Sequence, residues 1–164
     1  MRCEVLIVGV VVGAVLLVSP GRAGAGEAKG TLSYKGTTAT LKHAYLVKGP
    51  DAVDTTKIIR RVILSTADLE GKIKACTTMS CADGAVTEGM TVELDGGPRL
   101  NYWVALKDGL LQFSGTEKIA ALKTRTDAPG KLAGTLSLNA MSADRPKVEV
   151  DFDVIMLKEF AAAR

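Results

Sequence analysis

The chain has 164 residues, 47% of them hydrophobic, with 21 basic against 18 acidic side chains and a formal charge of +3. Its first 25 residues hold Arg2, Arg22 and Glu4, so the 139 that follow carry 19 basic against 17 acidic groups, a net +2. That balance excludes an electrostatic case for nucleic acid, which needs a concentrated basic footprint, and the length suits one domain rather than two.

Arg2 and the amino terminus precede an apolar run from Val5 to Val18, followed by the helix breakers Ser19, Pro20 and Gly21 and by Ala23-Gly24-Ala25. This is the order of a secretory signal peptide over residues 1–25, cut after Ala25, with a single exported domain over 26–164. A membrane anchor is the alternative, kept open by Glu4 in a region that is ordinarily positive. The apolar run of fourteen residues reaches about 21 Å as a helix, short of a hydrocarbon core of about 30 Å. Cys3 precedes the run, where a lipidated cysteine would follow it.

From Lys29 onward apolar residues recur mostly at every second position, the period of half-buried strands. Lys35-Gly36 turns the first run back into Leu41, Tyr45 and Val47, and His43 is expected to share their inward face. Gly49–Thr56, with Pro50, Asp51 and Asp54, is long for a hairpin and is the best candidate for a functional loop, although a solvated connection is the simpler reading. Lys57–Ser65 is apolar on both faces and reads as a central strand, and Thr66–Lys74 as a short helical turn. Asp95-Gly96-Gly97-Pro98 opens the strand of Leu100, Tyr102, Val104 and Leu106, and Asp108-Gly109 signals a two-residue hairpin. Glu117–Arg125 fits strand or helix and is taken as strand. Ala128-Pro129-Gly130 leads to Leu132, Leu136 and Leu138, and the last run places Val148, Val150, Phe152, Val154 and Met156 on one face. Short connections imply antiparallel neighbours. The expected fold is all-β, an up-and-down meander of about eight or nine strands closed as a barrel or sandwich, with a frayed tail at 161–164.

Lys29–Gly36, Leu41–Tyr45, Val62–Ser65, Leu132–Leu136 and Val150–Val154 together resemble a loose family of uncharacterised exported bacterial β-rich proteins. The resemblance spans roughly residues 29–157 and implies a compact β domain outside the cytoplasm. That family has no established activity, so it assigns no site residues.

Reactive chemistry is sparse. In an oxidising compartment Cys76 and Cys81 are expected to form a disulfide closing a short loop. Met79 between them makes a soft metal site or redox pair the alternative, with His43, the one histidine, as its partner. No nucleophile elbow accompanies His43, and one histidine with two cysteines does not make a zinc spacing. Asp151 and Asp153 share a face of the last strand and could converge on a substrate, but their alternation with Lys147 and Glu149 describes a solvated face. The seven aromatics, with Trp103 the one indole, are too few and too scattered for a sugar-stacking platform or a single-strand nucleic-acid surface. The expectation is a non-enzymatic periplasmic or secreted domain, without cofactor and not embedded in the membrane. It would bind a partner protein or the cell-envelope surface. The alternatives are a barrel-type carrier of a small apolar ligand, held among Leu41, Tyr45, Tyr102 and Phe152, and a metal or redox handler.

Overall fold

A computed structural model describes residues 25–139 and 144–161. The segment before Ala25, expected to be a signal peptide, and the last three residues of the tail lie outside them. Nine strands form one sheet: β1 Gly26–Tyr34, β2 Thr37–Pro50, β3 Ile58–Ser65, β4 Gly89–Glu93, β5 Arg99–Leu106, β6 Leu111–Lys118, β7 Leu122–Ala128, β8 Lys131–Leu138 and β9 Lys147–Glu159. Two six-residue helices, α1 Glu70–Ala75 and α2 Met79–Gly84, occupy the connection from β3 to β4. The all-β meander expected from alternation is the observed fold. Lys35 and Gly36 turn at φ of 46° and 74°. The second hairpin is longer than its Asp-Gly pair suggests. Lys107, Asp108 and Gly109 all adopt positive φ, and Leu106 pairs with Leu111 across a four-residue connection.

The sheet order is β6-β5-β4-β3-β2-β1-β9-β8-β7, each neighbouring pair antiparallel. Directions that alternate along nine positions leave β6 and β7, the two edges, pointing the same way. Yet those strands are consecutive in the chain, joined by a 3-10 turn at Ile119–Ala121. The path from Lys118 to Leu122 can span no more than about 14 Å. The sheet must therefore curl until its edges meet at that turn, which makes it a half-barrel rather than a sandwich. The stretch read as a strand over Glu117–Arg125 is one long path bent by the turn, serving β5 with its first half and β8 with its second. Counted as a single bent strand, it gives the meander eight members, the even number that lets β9 close antiparallel on β1.

The concave face is packed with Leu32, Leu41, Leu64, Val104, Leu136 and Phe152 among others. A void between Val62, Leu64, Val92, Leu122, Leu136 and Phe152 measures about 10 Å³, room for roughly one water. Arg60 joins the elements at one end of the sheet: its guanidinium donates to Asp95 in the β4–β5 turn (2.8 and 3.0 Å) and to Asp127 at the end of β7 (2.5 Å).

A second cluster lies on the convex face, where Tyr45, Val47, Ile59 and Ile63 pack beneath Leu69, Ile73, Met79 and Val86. This is why β3 is apolar on both sides. The expectation that Leu41, His43 and Tyr45 share the inward face is corrected here. Leu41 and Ala44 both belong to the inner cluster, so the alternation of β2 changes phase between them, where the β1–β2 register shifts. Tyr45 consequently faces outward. Its hydroxyl donates to Asp68 Oδ1 (2.8 Å) and accepts from the Leu69 N–H (2.7 Å), and burial pushes its ionisation well above the ordinary range.

Candidate functional site

The register of β3 to β6 sets outward side chains in cross-strand rows. One row runs Ile63, Thr91, Trp103, Ser114, and the next runs Arg61, Glu93, Asn101, Thr116. Arg61 is 5% exposed, close in β3 to buried Ile59, Val62 and Ile63, and an uncompensated guanidinium there would be prohibitive. It hydrogen-bonds Asp83 of α2 and Glu93 of β4, the latter at 2.8 Å. Its guanidinium carbon lies 5.2 Å from the centre of the Trp103 ring, and Glu93 also accepts from Asn101 Nδ2 at 3.0 Å. Arg61 Nε and Asp83 Oδ1 make no hydrogen bond among the described residues. Burial holds the Asp83 carboxyl above its usual range, with the neighbouring Arg61 cation opposing that shift.

Three local features hold α2 in place. Thr78 caps it, its hydroxyl accepting from the Cys81 N–H at 3.2 Å. Cys76, immediately after α1, is bonded to Cys81 in α2 with their Cα atoms 5.5 Å apart, so the short loop closed by the expected disulfide lies between two helices. Gly49 admits Met79 closely, since a Cβ on it would stand 2.6 Å from the Met79 sulfur.

Between α2 and the exposed face of β5 and β6 lies an open groove of about 690 Å³, within the range of small-ligand sites. Trp103, 42% exposed, lies on its floor beside Thr91, with Gln112 and Ser114 from β6 on one side and Ser80 and Asp83 from α2 on the other. Ala52 of the long 51–57 connection also lines it, which gives that candidate loop a part in the site. Asp51 orders the loop by accepting from the Val53 N–H at 2.6 Å.

The residues singled out in the sequence are dispersed. Half-buried His43 sits on β2, opposite Glu27 and Ser65, and does not line the groove. Both cysteine sulfurs are joined to each other, and Met79 is buried in the convex cluster. Among the described residues no three His, Cys, Asp or Glu side chains gather as metal ligands would. Asp151 pairs with Arg125, which holds its carboxyl below the usual range, and Asp153 pairs with Lys131 at 3.2 Å. Each carboxylate thus has its own cation. Sequence reasoning missed the Arg61–Asp83–Glu93 cluster and the groove. The available signal was the Arg60-Arg61 pair inside a strand apolar on both faces, where a buried arginine demands a carboxylate partner. No protein-family model matches the chain, and no curated protein or solved structure is significantly similar to it.

Proposed function

We propose that the chain is an exported, non-enzymatic binding domain that holds a partner protein or a cell-envelope component in the groove floored by Trp103. The observation that carries this reading is a half-exposed indole whose supports are already fixed: Arg61 beneath it, and a wall tied down by a disulfide and a buried ion pair. Preorganisation of that kind lowers the entropy cost of association. Asp83, the carboxylate in the groove, is engaged by Arg61, which favours holding over acid–base work. The disulfide agrees with export. A carrier of apolar ligands finds less support, since the concave interior is filled by side chains.

The test is in-cell photo-cross-linking from benzoylphenylalanine placed at Ser114, with exposed Lys123 on β7 as the control position. A discrete adduct from Ser114 that disappears on Trp103→Ala supports the reading. Adducts that are absent, or identical from both positions, refute it.

A further inference from the structure

We infer that the groove is a site for an uncharged sugar ring stacked on Trp103, an inference that rests on reading the groove as the binding surface. Charge decides the first step. Among the described residues, Arg61 and Asp83 are the charged side chains lining the groove; they are paired with each other, Arg61 also binds Glu93, and only Arg61 Nε and Asp83 Oδ1 are left without a hydrogen bond. A phosphate or carboxylate ligand calls for an unpaired cation, and an amine for an unpaired carboxylate. The described lining offers neither as a free charge, which favours a neutral ligand.

The second step is the surface that the groove presents. Trp103 offers a flat apolar patch held in orientation by Arg61. Around it stand exposed hydroxyls and an amide from Ser80, Thr87, Gln112 and Ser114, which both donate and accept. A wholly apolar ligand would leave those groups desolvated and unpaired. The complementary molecule has an apolar face and hydroxyls around its edge, which is the shape of a pyranose ring. A proline-rich peptide also packs on indole, but it reads a groove lined by several aromatic rings. Here Phe113, the other aromatic of the lining, is occupied by Tyr34 (5.3 Å between centroids) and Tyr102 (6.0 Å).

Trp103 is the one tryptophan in the chain, so intrinsic emission reports on this groove alone. The protein purified from its host is titrated with cellotriose, with the β-1,4-linked N-acetylglucosamine trimer, with decaproline and with inorganic phosphate. A saturable emission change with at least one trisaccharide is expected. Binding should weaken about tenfold or more in Gln112→Arg, which obstructs the groove from an exposed position, and in Trp103→Ala measured by calorimetry. Silence from both trisaccharides overturns the inference, as does sugar binding that Gln112→Arg leaves unchanged. A response to decaproline or phosphate in place of sugar overturns it while leaving the groove a binding surface. Loss of the Ser114 cross-link as well removes both readings.

Discussion

Arg61→Met is the sharpest perturbation of the convex face. Methionine keeps most of the apolar stem and removes the guanidinium, leaving Glu93, whose side chain is 6% exposed, and Asp83 facing each other without a cation. Removing one partner from a buried ion pair costs about 3–5 kcal/mol, because the charge left behind stays desolvated. Asp83 offsets part of this, since its carboxyl is already disposed by burial to keep a proton. The expected loss is about 3 kcal/mol at neutral pH, a fall of about 1.5 M in the urea midpoint for a protein of this size. Unfolding should be followed by circular dichroism as well as by emission, because Trp103 lies against the mutated group and its fluorescence responds locally. The triple variant Arg61→Met, Asp83→Asn, Glu93→Gln removes the stranded charges and should recover most of the loss. A single variant that loses less than about 1 kcal/mol, or a triple variant no better than the single, would refute the claim that the cluster is a compensated buried charge.

Reduction of Cys76–Cys81 should lower stability by about 2 kcal/mol in the chain-entropy model, read as the shift in urea midpoint with and without reductant; an unchanged midpoint contradicts it. The raised Asp83 carboxyl makes the native state bind a proton more tightly than the unfolded chain, so its contribution to stability falls as pH climbs from the ordinary 3.8 through its native value. Compared with Asp83→Asn, the wild type should therefore lose stability as pH rises above the ordinary carboxylate value of 3.8, and a relative gain on the same rise would reverse the assignment. Asp95 acts in the opposite sense. The Arg60 guanidinium lowers its carboxyl, so the stability that it contributes is present above the ordinary value and is lost on acidification through the native one. Asp95→Asn should flatten the acid limb of the midpoint-versus-pH curve, and an unaltered limb would show that the pair contributes little. Gly30→Ala would place a Cβ 2.1 Å from the Glu149 carbonyl oxygen, forcing β1 away from β9; a loss of about 2 kcal/mol or more is expected by chemical denaturation, and a neutral result would show that the strands yield easily.

The strands could be read from the chain because each buries one face, and alternation is a local property of a few residues. Val148, Val150, Phe152 and Val154 on β9 needed no knowledge of their partners. What escaped depended on register. The phase change in β2 between Leu41 and Ala44 follows from a shift in its pairing with β1, which periodicity alone does not reveal. α2 is six residues long, too short for helical spacing to emerge, and its cap at Thr78 is a single-residue signal. The groove draws Arg61, Asp83, Trp103 and Ser114 from four separate elements. Ser114 in particular is an ordinary exposed residue until cross-strand pairing sets it beside Trp103.

The site's position outside the barrel follows from where this meander departs from regularity. Residues 66–88, between β3 and β4, form its longest connection and carry both helices. They fold back over β2, β3 and the end of β9, where Lys158 Nζ donates to the Lys74 and Cys76 carbonyls. Along the row Ile63, Thr91, Trp103 the exposure rises from 0% through 3% to 42%, so one continuous row passes from beneath the helices into the open groove. Arg61 lies at that boundary, reaching Asp83 on the covering layer and Glu93 on the sheet. A groove at the margin of a cover inherits rigidity from the buried end and access from the exposed one. The filled concave side provides no comparable margin, because its rows end in packed leucines and valines.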